Sequence, residues 1–150
     1  MDLILWRHAD AEAGAPDLAR RLTGKGVKQA ERMAAWLDKH LPDHCRILVS
    51  PAERAKQTAA ALKRKFKVVA ELAPGVGVDS ILDAAGWPDA AAPVLVVGHQ
   101  PTLGEVAAFL VSGKATPWSI RKGGVWWLSQ RERDGSSSVI VKLVIGPDFV

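Results

Sequence analysis

Apolar residues along this chain alternate between short β-rich runs and longer stretches with an apolar residue every third or fourth position. A strand is predicted from Asp2 to Trp6, which places Arg7 and His8 at its C-terminal edge. A loop from Asp10 to Leu22 contains Gly14 and Pro16, and Thr23 follows as the N-cap of a helix. The expected buried face of that helix runs through Val27, Ala30, Ala34, Leu37 and Leu41, with Pro42 and Asp43 ending it. Arg46 to Ser50 predicts a second strand stopped by Pro51, and a second helix should follow at once. Its stripe is Ala55, Ala59, Leu62 and Phe66, with Lys56, Lys63 and Lys67 on the polar side. A short strand is expected over Val68 to Glu71.

In the second half, Pro74-Gly75 opens a loop, Ser80 to Ala85 reads as a helix, and Gly86 to Pro93 reads as a connector. Val94 to Gly98 is a continuous apolar run of the kind a central strand needs when both its faces are covered, and it delivers His99 to its end. Thr102 to Val111 reads as a helix and Gly113 to Pro117 as a loop. Gly124 to Leu128 and Val139 to Ile145 read as two closing strands turned around Asp134-Gly135. Strands and helices taking turns predict an α/β fold, a three-layer α/β/α sandwich whose central sheet is mainly parallel and made mixed by the final hairpin.

Composition narrows the class. A chain of 150 residues, 48% hydrophobic and 24% charged, with a mean hydropathy of +0.04, fits one soluble domain spanning residues 1–150 that buries its core without disulfides or metals. The lone Cys45 cannot form an internal disulfide and reads as a small packing residue, which suits a reducing compartment. The first apolar stretch ends at Arg7 with no basic segment before it, so neither a signal peptide nor a membrane span is expected, and a cytoplasmic protein is. The net charge of +4 is scattered over the predicted helices, which argues against a nucleic-acid surface and suits an anionic ligand. No Cys/His or acidic set has metal-ligand spacing, and there is no Gly-x-x-x-x-Gly-Lys-Ser/Thr phosphate loop, so neither metal nor cofactor is expected.

Three predicted strand ends carry polar groups: Arg7-His8, Ser50-Pro51 leading into Arg54, and Gly98-His99. Open α/β sheets bind ligands at that edge. A neutral imidazole offers one lone pair to phosphorus, and a guanidinium is a rigid fork for phosphate oxygens. Arg54 adds its charge to the positive end of a helix dipole. Read singly, an Arg-His pair is an ordinary strand terminus, Arg54 a solvated helix charge and His99 a core histidine. Two Arg and two His in this order at strand-to-helix junctions describe a phosphate pocket.

Arg7-His8-Ala9, the run Ser50-Pro51-Ala52-Glu53-Arg54-Ala55-Lys56-Gln57-Thr58-Ala59, and Gly98-His99-Gln100-Pro101 resemble the histidine phosphatase superfamily. Thr23-Gly24-Lys25-Gly26 followed by Gln29-Ala30 resembles that superfamily's Leu-Thr-x-x-Gly-x-x-Gln-Ala helix opening, so the likeness runs from Met1 to about Val111. Within the superfamily the chain is most similar to SixA-type phosphohistidine phosphatases. The resemblance implies a phosphoglycerate mutase-like fold. The family usually has Gly after the Arg-His pair; Ala9 should be tolerated if the backbone there is not left-handed.

The resemblance further implies that His8 takes the phosphoryl group in a covalent intermediate that water hydrolyses, with a carbonyl fixing its tautomer. Arg7 and Arg54 would bind the nonbridging oxygens, and a protonated His99 would donate to the same group. A proton donor is harder to place: Glu71 precedes Leu72-Ala73-Pro74, which matches a SixA-type Leu-x-Pro sequence, while Asp10, Glu12 and Asp17 lie in the first loop. A phosphoramidate leaves as a neutral imidazole once its nitrogen is protonated, so weak acid catalysis favours P–N substrates. The expected partner is therefore a phosphorylated protein of the histidine-containing phosphotransfer type, the alternatives being a small phosphate ester or a noncatalytic phosphate-binding role. Trp126-Trp127 on a strand should point to opposite faces, and the outward indole with Trp87 and Trp118 could form a docking patch.

Overall fold

The computed structural model describes residues 1–150. Its strands are β1 (Asp2–Arg7), β2 (Arg46–Val49), β3 (Lys67–Val68), β4 (Val94–Gly98), β5 (Val125–Arg133) and β6 (Ser136–Ile145). Its helices are α1 (Gly24–His40), α2 (Glu53–Ala60), α3 (Val78–Ala85) and α4 (Thr102–Ser112). The strands form one sheet in the order β3-β2-β4-β1-β5-β6. The first four are mutually parallel, and β5 and β6 close the sheet as an antiparallel hairpin.

Period-two alternation in the central strands explains the layers. Ile4, Trp6, Ile47, Val49, Leu95 and Val97 face one side and pack under Ala34, Leu37, Ala55 and Ala59 of α1 and α2. Leu3, Leu5, Leu48, Val94 and Val96 face the other and pack under Ile81, Ala85, Leu103 and Val106 of α3 and α4. Each fully buried Leu, Ile or Val contributes roughly 1.5–3 kcal/mol through removal of its side chain from water. The result is the expected three-layer α/β/α sandwich. No helix is long and apolar enough to cross a membrane.

Side-by-side β1 and β4 send their following helices to opposite faces, α1 to one and α4 to the other. That is a topological switch point, where the departing chains leave a crevice at the carboxyl ends of the strands. Arg7 pairs with Gly98 in the register, so the next residues, His8 and His99, flank the crevice.

Several elements depart from the sequence reading. Helix α2 stops at Ala60, because Arg64 is drawn to the end of α1, where its guanidinium donates to the carbonyls of Asp38, Leu41 and Pro42 and pairs with the Asp38 carboxylate. Leu62 still reaches the core, but from a turn. The third strand is two residues at the sheet edge, and Glu71 lies in a 3-10 turn, Ala70–Leu72. Val27 is 40% exposed and Met33 takes its place in the core. Trp127 is buried, while Trp87, Trp118 and Trp126 are half-buried against the α3/α4 side, with the Trp118 and Trp126 rings 5.7 Å apart. At the hairpin, Asp134 (φ 52°) and Gly135 (φ 79°) supply the two positive φ values of a type I′ turn.

Candidate active site

The structure brings His8, Arg7, Arg54 and His99 together. The two imidazole centroids lie 5.1 Å apart, as expected for neighbours on adjacent parallel strand ends. Arg54, in the first turn of α2, donates its Nε–H to His8 Nε2 at 3.4 Å. His8, Arg54 and His99 are buried, exposed by only 8%, 4% and 5%. Arg7 is half-buried and donates to the Ile120 carbonyl at 2.8 Å, while its Nε–H is buried without a partner.

His8 is held as a nucleophile requires. Its Nδ1 lies 2.7 Å from the Ala9 carbonyl, which places the ring proton on Nδ1 and the lone pair on Nε2, toward Arg54. Burial first, and then the Arg54 and Arg7 charges, push its pKa down to about 4 against the backbone hydrogen bond that favours the charged form. The imidazole is therefore neutral at physiological pH. Ala9 is fully buried with its backbone outside the left-handed region, so a side chain is accommodated where the family usually has Gly.

The surroundings of His99 do not match the protonated form expected from the sequence. Burial, with His8 and Arg54 beside it, pushes its pKa down to about 3, so the protein groups alone keep this imidazole neutral. Ser50 Oγ lies 2.7 Å from His99 Nε2 and itself accepts the Ala52 N–H. The hydroxyl proton is thus available to Nε2, which assigns the ring proton to Nδ1. His99 Nδ1 and Arg7 Nε are the only buried side-chain polar atoms without a partner in the molecule. Unpaired buried donors are costly, and both of these belong to residues of the four-residue cluster.

Beside Thr23, already read as an N-cap, residues to which the sequence reading gave no role hold this geometry. Thr23 caps α1 through Gly26 N–H and donates to the Asp10 carboxylate at 2.7 Å, while Gln29 Oε1 accepts Asp10 N–H. Thr58 Oγ1 accepts Ala9 N–H and donates to the Arg54 carbonyl, so one hydroxyl ties the nucleophile loop to the arginine helix. Gln57 Oε1 accepts Leu22 N–H. On the other wall, Gln100 accepts Gly104 N–H and donates to the Trp118 carbonyl, fixing the segment whose Ile120 carbonyl holds Arg7. Their only sequence signal is membership of the runs that carry the chemistry.

Gly26 is required by close approach. A Cβ there would overlap the Asp10 carbonyl oxygen, a backbone atom that cannot yield without moving the loop. Gly26→Ala should therefore displace the His8-Ala9-Asp10 turn and lower kcat about 100-fold, since a misplacement near 1 Å costs that much. Turnover measured on variant protein that still melts cooperatively checks this, and wild-type turnover would show that the turn does not depend on α1.

The carboxylates considered as proton donors are ionised or remote. Hydrogen bonds from Lys122 and Thr23 hold the Asp10 carboxyl below the usual range. Arg20 and Arg54 do the same to Asp17, whose carboxylate lies 3.1 Å from Arg54 Nη2 and 3.0 Å from Arg20 Nη1. Glu12 and Glu71 are exposed, and neither carboxylate contacts the four pocket residues. Burial pushes the Cys45 thiol up to about 11, so it is not a nucleophile. A concavity of about 730 Å³ lies between α1 and α2, lined mainly by apolar residues such as Ala30, Ala34 and Leu62. None of His8, Arg7, Arg54 and His99 lines it, so the chemistry is assigned to the strand edge.

Comparison with known proteins finds relatives along most of the chain. Residues 3–76 match the family model of the histidine phosphatase superfamily (branch 1). The chain is 33% identical to a phosphohistidine phosphatase SixA homolog of Haemophilus influenzae, over 94% of this chain and 93% of that protein. It is 35% identical to phosphohistidine phosphatase SixA of Escherichia coli, over 78% of each. A solved structure of the protein histidine phosphatase SixA complexed with tungstate superposes with a TM-score of 0.83 at 28% identity, covering 99% of both chains.

Proposed function

The chain belongs to the histidine phosphatase superfamily, and from that premise we propose that residues 1–150 form one phosphatase domain that hydrolyses phosphohistidine on another protein. The observation that carries this reading is a neutral His8 with its Nε2 lone pair directed at Arg54 and its other nitrogen bonded to Ala9. In this reading Arg7 and Arg54 hold the nonbridging oxygens of the phosphoryl group. His8 Nε2 attacks phosphorus, the bond to the leaving group breaks, and the new phosphoimidazolium keeps its Nδ1 proton on the Ala9 carbonyl. A water then attacks phosphorus, releasing inorganic phosphate and restoring neutral His8.

His99 supplies a donor for the transferring group. A phosphoryl dianion beside it brings the opposite charge that the protein lacks, so its proton affinity rises when substrate is bound. Its buried Nδ1 and the Arg7 Nε would then gain acceptors. No group of three or more His, Cys, Asp or Glu is arranged to hold a metal, and the reading needs none. Preference for a P–N bond is supported by the absence of a protonated carboxyl in the pocket, because an alkoxide needs a proton on departure and a protonated imidazole does not. The relatives named for phosphohistidine support the same class.

The test compares kcat/KM for a phosphohistidine-bearing protein and for an alkyl phosphate ester such as O-phosphoserine, whose alkoxide needs a proton to leave. A preference for the P–N substrate of at least about tenfold is expected, equivalent to one well-placed interaction in the transition state. Dominant turnover of the ester would overturn this reading in favour of a broad phosphomonoesterase.

A further inference from the structure

We propose that Asp17 is the residue that recognises the leaving group, its carboxylate accepting the distal ring N–H of a phosphorylated imidazole, so that the pocket selects phosphoimidazolium over phosphate esters. This rests on the phosphatase reading above and adds the part that reading leaves open.

Asp17 begins a 3-10 turn, Asp17–Ala19, that buries none of its residues, yet it is bound into the pocket from outside. Its carbonyl accepts Arg54 Nη1 at 2.8 Å and its Oδ2 accepts Arg54 Nη2 at 3.1 Å. The same guanidinium touches His8 Nε2 through Nε. Asp17 is thus one residue removed from the attacking atom, and its charge is felt at His99. Its side chain is nevertheless 54% exposed, while the Arg54 side chain it holds is 5% exposed. Two of its four lone-pair positions are used by Arg20 and Arg54, and the others remain for a donor. It does not serve as the acid, because those two arginines keep it ionised.

An ionised carboxylate at this rim suits one leaving group. A phosphohistidine protonated on its distal nitrogen carries a positive ring, which the carboxylate attracts and whose N–H it can accept. When His8 Nε2 forms its bond to phosphorus, the P–N bond of the substrate breaks and its electron pair stays on the departing nitrogen. The ring already carries its proton on the far nitrogen, so it leaves as neutral imidazole and no proton has to be delivered. Asp17 then does for the substrate ring what the Ala9 carbonyl does for His8. An ester offers no such N–H, and its leaving oxygen meets the carboxylate as a like charge.

The experiment is Asp17→Asn and Asp17→Glu, each assayed on N-phosphoimidazole and on p-nitrophenyl phosphate beside wild type. Asp17→Asn should lower the ratio of P–N to P–O kcat/KM about tenfold, the value of one hydrogen bond to a charged group, and Asp17→Glu should restore much of the ratio. A ratio unchanged in Asp17→Asn, whether both rates hold or both fall, would overturn the proposal and leave Asp17 as a support for Arg54. A wild type inactive on N-phosphoimidazole and on phosphohistidine would overturn the phosphatase reading and this role with it. Folding is checked in the same samples by ester turnover and cooperative melting.

Discussion

Replacing His8 by Ala should abolish the phosphoenzyme and reduce turnover of every phosphorylated substrate to near background. Loss of a sole nucleophile in an otherwise intact site costs on the order of 10⁶-fold. The case here is strong because no other group can substitute. His99 is the nearest candidate, but its Nε2 is engaged by Ser50 and its Nδ1 is assigned the ring proton, so it has no free lone pair. Cys45 is held as a thiol. Arg7, Arg54 and His99 remain in His8→Ala, so the variant should still bind inorganic phosphate, which separates lost chemistry from lost folding. Labelling with a phosphoryl donor, followed by acid and alkali treatment, reads the result: wild type gives an acid-labile, alkali-stable adduct and the variant none. An adduct of equal yield in His8→Ala would remove His8 from the reaction.

The second large effect is at Arg54. Arg54→Lys keeps the charge and removes the fork, and kcat/KM should fall about 10²- to 10³-fold, as when one preorganised donor is removed from other active sites. Three of its donor groups are committed, Nε to His8 and both Nη atoms to Asp17, in a side chain that is almost fully buried. An ammonium is a point charge on a flexible stem and cannot span His8 and Asp17 together. Arg54→Ala would also remove a positive neighbour of His8, whose pKa is lowered first by burial and then by the Arg54 and Arg7 charges, so in that variant the acid limb of the pH–rate profile should move upward from near 4. The sign follows from charge: a lost positive neighbour makes protonation of His8 easier, so activity fails at a higher pH. Steady-state kinetics of both variants across pH 4–8 check the fall and the shift, and variants within a few-fold of wild type with an unchanged acid limb would show that Arg54 takes no part in the reaction.

Local order carried much of this into the sequence. The run Val94 to Gly98 reads as a doubly covered strand because five successive apolar residues cannot lie on a half-solvated one, and its bounds match the structure. Thr23 reads as an N-cap because its hydroxyl can satisfy an unpaired helix N–H, which it does for Gly26. Asp134-Gly135 reads as a turn because these residues tolerate positive φ. The end of helix α2 is not legible in the sequence, because the continuing stripe of Leu62 and Phe66 says nothing of Arg64, whose partners at the end of α1 are more than twenty residues away.

The site divides along the same line. His8, Arg7, Arg54 and His99 could be chosen from the sequence because strand ends and helix starts are local features, and the order of three such junctions brings them to one sheet edge. Their protonation and supports could not, since these depend on what surrounds each atom in three dimensions. Burial beside two guanidinium groups makes His99 neutral, Thr58 joins two motifs far apart in the chain, and Arg54 fixes Asp17 at the rim. The sequence by itself determined which side chains meet and in what fold. The tertiary structure decided their charge, their tautomers and which carboxylate pairs with Arg54, because desolvation and long-range hydrogen bonds exist only once the layers have packed.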